Sequence, residues 1–169
     1  GLSNPVFYWE CLNFMEITQR LPIKLMIEIT ENQTLTITPA LKELIRSLRN
    51  RGVLFALDDF GTGYANLCYL NELDLDVIKI DKTFIKAIKE VEQHIPMLES
   101  IIHLSGLLGL RMVAEGVEYG YQQQWLRKNN VDYLQGYQFL PPVMFDDFMR
   151  FYKQSVGLFE SASDSTFSA

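Results

Sequence analysis

The sequence is poor in cysteine: Cys11 and Cys68 are the two among 169 residues. They lie far apart with no paired-ligand spacing. That excludes a disulfide scaffold and a cysteine-based zinc site, and it suits a reducing compartment, so a cytoplasmic location is expected. Excess positive charge is missing as well. The formal net charge is -6, so the chain lacks the basic footprint of a domain that grips nucleic-acid phosphates, and no DNA partner is expected. An acidic chain can still bind a phosphate diester where metal ions supply the positive charge. Long apolar runs are absent too: none approaches the roughly 20 residues that a membrane span needs.

What remains is an ordinary globular balance, 48% hydrophobic and 21% charged, in a chain long enough to bury one real core. Five short runs rich in β-formers and bounded by turn residues read as strands. They are Leu25 to Thr30, Leu54 to Asp59, Val77 to Asp81, Met112 to Gly116 and, more weakly, Tyr133 to Gly136. Helical patterns lie between them. Thr38-Pro39 reads as an N-cap followed by proline at the first helical position. Leu41, Leu44, Ile45 and Leu48 then recur on one face before Gly52 stops the helix. A second stripe takes in Ile95, Leu98, Ile101, Ile102, Ser105 and Leu108, closed by Gly109. Further helices are expected from Pro5 to about Arg20, from Tyr121 to Asn129 and from Phe145 to about Lys153. Strand–helix alternation at this spacing predicts βα units around a parallel sheet, either open and doubly wound or closed as a barrel. One domain is expected over residues 1–155, with a flexible tail over 156–169, Ser-rich from Ser161 onward.

The chemistry emerges when polar residues are placed on these strands. Glu28, Asp58, Lys79, Glu115 and Gln135 each fall near the C-terminal end of a different strand. Side chains alternate across a strand, so Val77, Lys79 and Asp81 share one face and Ile78 and Ile80 the other. A single charge at a strand end is ordinarily solvated loop. Five polar groups, four of them charged, on five consecutive strands are harder to dismiss, because charges avoid such positions unless they are paired or bind metal. In a barrel the C-terminal rim would gather them where barrel enzymes keep their chemistry. Glu28, Asp58 and Asp59 with a lysine make a hard-oxygen donor set that suits magnesium or manganese rather than zinc. The Asp58-Asp59 pair can bridge two ions, as in-line attack on a phosphodiester requires. Asp81 has a plainer alternative, a buried ion pair with Lys79. Gly61 and Gly63 read either as the permissive backbone of a mobile loop or as an ordinary strand-to-helix turn.

Taken together, Glu28-Ile29-Thr30-Glu31, Asp58-Asp59-Phe60-Gly61-Thr62-Gly63-Tyr64, Lys79-Ile80-Asp81, Ala114-Glu115-Gly116-Val117-Glu118 and Gln135-Gly136-Tyr137 resemble the EAL family of bacterial cyclic di-GMP phosphodiesterases. The resemblance runs from about Leu2 to Phe148. It implies a TIM-like (β/α) barrel of the EAL type and two-metal hydrolysis of cyclic di-GMP to linear pGpG, with Mg2+ or Mn2+ as cofactor. Carried over residue by residue, it makes Glu28, Asp58 and Asp59 metal ligands, with Asp58 bridging. Lys79, Glu115 and Gln135 take the catalytic roles around the attacking water. Glu31 would steady the loop after the Asp-Asp pair. Glu118 and Tyr137 are candidates for contact with a guanine base. The loop from Phe60 to about Leu67, with the adjacent helix, would make a homodimer contact.

The sequence departs from that pattern at its start. The family's Glu-Ala-Leu motif is missing, and Gly1 stands where the family places an asparagine ligand before Leu2-Ser3. The resemblance therefore implies a barrel incomplete at its N-terminus, cut from a longer polypeptide that carries sensor, diguanylate cyclase-like or membrane segments. It also implies weak or absent hydrolysis by this chain alone. The alternatives are a non-catalytic cyclic di-GMP receptor or protein-interaction domain that kept the fold, and an unrelated barrel enzyme whose acids bind a sugar phosphate or enolate.

Overall fold

Each strand of the sheet lies beside its neighbour in sequence. In the computed structural model the described residues are 5–18, 23–30, 36–61 and 66–136, with 147, 148, 150 and 152. Helix α1 (Pro5–Thr18) precedes β1 (Met26–Thr30). There follow α2 (Pro39–Arg49), β2 (Leu54–Phe60), α3 (Asn66–Glu72), β3 (Val77–Ile80), the single-turn α4 (Lys82–Ile85), α5 (Pro96–Leu107), β4 (Arg111–Ala114), α6 (Gly120–Lys128) and β5 (Tyr133–Leu134). The five strands are parallel and ordered β1-β2-β3-β4-β5. A doubly wound sheet reverses direction at a switch point. This order never reverses, which decides between the two expected architectures in favour of a barrel wall.

The two faces of that wall confirm the choice. Ile29, Phe55, Leu57, Ile78, Ile80, Met112 and Ala114 point into the main core, where they meet Leu41, Ile45 and Leu48 of α2, Leu98 and Ile101 of α5, and Trp125 and Leu126 of α6. The alternate residues Ala56, Val77 and Val113 form a separate small cluster with Met26, made by strands alone. Helices thus cover one face, and the other is the barrel interior.

Helix α2 forms as its sequence dictates. The Thr38 hydroxyl accepts a hydrogen bond from the Leu41 amide, Pro39 sits in the first turn, and Gly52 takes a left-handed φ of 97° beyond the C-cap. Leu41, Ile45 and Leu48 are buried, each contributing about 2 kcal/mol of transfer free energy. Two helices, α3 and α4, were not expected. Residues 66–72 and 82–85 are too short to show a helical repeat in sequence. Helix α3 also shortens the loop expected after Asp59: Phe60 belongs to β2 and Asn66 already starts the helix.

The chain divides into two units, Gly1–Gln138 and Phe139–Ala169. In the second, Asp147 pairs with Arg150 at 3.2 Å, and the Phe148 and Tyr152 rings stack at 6.3 Å. Residues 147, 148, 150 and 152 are helical, within the helix expected from Phe145 to Lys153. The remainder of that helix and the Ser-rich tail lie outside the described residues.

Candidate metal centre

The site stands on an apolar floor. Met26, Ala56, Val77 and Val113 each precede, by two residues on the same strand or just past its end, Glu28, Asp58, Lys79 and Glu115. Alternation across the pleat therefore sends all four polar side chains to the interior face, one step nearer the C-terminal rim. Lys79 is the centre. Its side chain is 5% exposed, and its Nζ lies 2.6 Å from Glu115 Oε1, 2.8 Å from Glu28 Oε2 and 3.2 Å from Asp58 Oδ1. Burial by itself lowers the Lys79 pKa. The hydrogen bonds to Glu115 and Glu28 and the charges of those two carboxylates outweigh it, and the net shift is upward from the ordinary lysine value. Lys79 is therefore a fixed ammonium near neutral pH, a source of positive charge and not a base.

Asp59 reaches the same site by a break in the ladder. Leu57 pairs with Ile78 and Phe60 with Ile80, so Asp58 and Asp59 together oppose Lys79. This is a β-bulge, with one more residue on β2 than on β3. Strict alternation would turn Asp59 into the helix-covered core. The bulge instead places it at φ 56°, the left-handed region that aspartate tolerates better than most residues, and restores Phe60 to the core at 5% exposure. Gly61 follows at φ 97°, where a Cβ would stand 2.7 Å from the Phe84 ring. Its glycine is thus required by a sharp turn and a close packing contact at once.

One carboxylate oxygen from each of Asp58, Asp59 and Glu115 lies within 4.8 Å of the others. Burial, then the Asp58 and Asp81 charges, raise the Asp59 pKa against the opposing pull of Lys79 and Lys82. A divalent cation answers both features: it accepts hard oxygen donors and cancels the repulsion that disfavours ionised Asp59. The residues fit such an ion, with Glu28 held 2.8 Å from Lys79 Nζ.

The other expected residues are distributed as follows. Gln135 lies just past β5; its amide donates to the Ala114 carbonyl, its carbonyl accepts from Val117, and its side chain is exposed. Glu118 is exposed on the loop after β4. Glu31, Tyr137 and Gly63 lie outside the described residues, as do residues 62–65 of the loop proposed for a dimer contact. Asp81 does not take the alternative of pairing with Lys79. Its carboxylate caps α4 by accepting from the Thr83 amide and hydroxyl, and those bonds, outweighing burial, lower its pKa. The missed helix α4 is the reason: without it Asp81 has no amides to cap. Sequence reasoning also passed over Gln122, which is buried at the third position of α6. A glutamine there, facing backward onto an N-cap, is the signal that marks it.

The family model described as EAL domain matches residues 2–142. Cyclic di-GMP phosphodiesterase PdeL of Escherichia coli (strain K12) is 41% identical over 139 residues, which are 81% of this chain and 38% of PdeL. The chain thus spans well under half of that relative. The crystal structure of the EAL domain of Mycobacterium smegmatis DcpA superposes with a TM-score of 0.75 at 29% identity, covering 90% of this chain and 69% of that one. The manganese and cyclic di-GMP complex of Klebsiella pneumoniae BlrP1 superposes with a TM-score of 0.64 at 27% identity, covering 81% and 35%.

Proposed function

Because the chain belongs to the EAL domain family, we propose that it forms the central part of a phosphodiesterase site that hydrolyses cyclic di-GMP to linear pGpG with divalent cations. The observation that carries this reading is the convergence of Glu28, Asp58, Asp59 and Glu115 around Lys79 at the C-terminal rim. BlrP1, a structural neighbour, is seen with manganese and the same dinucleotide.

Glu28 and Asp58 would hold one cation, and Asp58 and Asp59 a second, with Mg2+ or Mn2+ as the ions this donor set favours. Bound there, the ions would supply the Lewis-acid charge that polarises a phosphodiester and acidifies the attacking water. The chain's own residues do the rest. Lys79, charged throughout the working range, stabilises negative charge that builds on the reacting oxygens. Glu115 would complete the second cation's site and orient the attacking water, and Gln135 would support that water from just past β5. The apolar floor excludes bulk water from beneath the site. Glu118 and Tyr137 are the residues proposed to meet a guanine, and Glu31 to steady the loop after Asp59. That loop with its adjacent helix is the proposed homodimer contact. A domain reaching to about residue 155, a cytoplasmic setting and regulatory segments elsewhere in the polypeptide complete the reading.

The test is turnover of cyclic di-GMP with Mg2+ or Mn2+, followed by chromatography of pGpG. This chain alone is expected to cleave weakly or not at all, because by family resemblance two ligands of the first cation precede Leu2. A form extended to include the Glu-Ala-Leu strand is expected to cleave. Full activity of the short form would refute the ligand assignment. Tight, metal-independent binding without cleavage by the extended form would favour the receptor reading instead.

A further inference from the structure

Gln122 is 2% exposed, and a buried amide is costly unless its hydrogen bonds are made. Gln122 makes three of the four bonds open to it, all to backbone groups. Its Oε1 accepts from the amides of Glu118 at 2.9 Å and Tyr119 at 3.1 Å, and its Nε2 donates to the Ile85 carbonyl at 3.1 Å. Glu118 and Tyr119 end the loop that Glu115 begins. Ile85 ends the turn of α4, which starts three residues after Lys79. One side chain therefore ties together the two segments that leave the sheet at neighbouring strands, β3 and β4.

The near end of the Glu115 loop is fixed independently. The Glu115 amide donates to Ile80 and the Val117 amide to Gln135. Gly116 takes φ 67° with the Lys82 side chain against it, leaving no room for a Cβ. Gln122 closes the far end, so the loop that carries Glu115 is held at both ends. An N-cap role would account for the Tyr119 contact alone; it does not explain the bonds to Glu118 and to Ile85.

We propose that Gln122 is a positioning residue for Glu115, holding its loop against α4 so that the Glu115 carboxylate meets Lys79 and the cation site. The proposal rests on the reading of Glu28, Asp58, Asp59 and Glu115 as that site.

The test is the Mn2+ affinity of this chain, measured by electron paramagnetic resonance of free Mn2+. Asp58→Asn serves as the reference variant. Gln122→Met, similar in shape but unable to make the three bonds, is expected to weaken Mn2+ binding about tenfold while circular dichroism stays native. In a Glu115→Gln background the same change should cost nothing further, because Gln122 acts through Glu115. A general loosening of the fold would instead weaken both backgrounds equally, and that result overturns the proposal, as does wild-type affinity in Gln122→Met. Should Gln122→Met not fold, Gln122→Glu keeps the acceptor for Glu118 and Tyr119. It loses the donor to the Ile85 carbonyl, the tie to α4, and is expected to bind Mn2+ more weakly than the parent; a folded Gln122→Glu protein with the parent's affinity overturns the idea. If Asp58→Asn itself binds Mn2+ normally, the cation site falls and this inference with it. If Asp58→Asn loses binding and Gln122→Met does not, only the inference falls.

Discussion

Asp58, near the C-terminal end of β2, and Asp76, just before β3, are both 16% exposed carboxylates beside a cation. Their surroundings are otherwise opposite. Asp76 accepts two bonds from Arg49, at 3.1 Å from Nε and 2.7 Å from Nη2, and a third from the Phe55 amide at 2.9 Å. Those bonds outweigh burial and hold its pKa below the usual carboxylate value. Asp132, just before β5, repeats the device two strands on, accepting from the Met112 amide at 2.7 Å. At the other rim, Glu28, Asp58 and Glu115 share one ammonium, and Asp59 is pushed up toward its neutral form. The N-terminal rim is satisfied within the chain; the C-terminal rim has more negative charge than its lysine can balance. That is the division between stability and chemistry expected of barrel ends.

Removing Lys79 should break this comparison hardest. Lys79→Met leaves three carboxylates facing one another and is expected to cost about 3 kcal/mol of stability. Denaturant titrations with and without Mn2+ should show much of that loss recovered by the ion, which no substitution at Asp76 would permit. Asp58→Asn is next. It should weaken Mn2+ binding by about two orders of magnitude, and lower turnover of an active extended form at least as much, while the melting temperature holds or rises as repulsion is relieved. Asp76→Asn should do the reverse, costing about 2 kcal/mol with Mn2+ affinity unchanged. Its pH signature follows from the sign of the shift. The folded pKa lies below the unfolded value of about 3.9, so the Asp76 contribution is complete above that value. It is lost as pH falls through the folded pKa, and Asp76→Asn should flatten this acid limb of stability. The smallest effect is expected at Asp132, which is exposed: Asp132→Ala should cost about 1 kcal/mol, read from thermal melts.

The strands could be read from sequence because each is a brief apolar run between turn residues, and α2 because its cap, proline, stripe and terminal glycine agree. The convergence of Glu28, Asp58, Lys79 and Glu115 was legible for a simple reason: a two-residue period fixes which side chains share a face, and parallel register does the rest. Three things were not legible. A period of two cannot foresee its own interruption, so nothing local announced the bulge that turns Asp59 inward. Helices of one or two turns carry too few residues for periodicity, which hid α3 and α4 and left Asp81 open to the wrong partner. A buried polar side chain bound to distant backbone leaves no pattern, so Gln122 passed as an ordinary helix residue.

The extra residue in β2 has a consequence for how the gene can change. Two acids adjacent in the code face one chamber because the chain there counts three where its neighbour counts two. Deleting a codon between Leu57 and Phe60 would leave a smoother sheet and a single acid at the mouth, a protein that folds well and has lost half of what the pair supplies. Adding one would move Phe60 and the glycine after it out of step with Phe84. This short stretch should accept substitutions more readily than it accepts any change of length, and an insertion–deletion scan along β2 should find its sharpest minimum in function there.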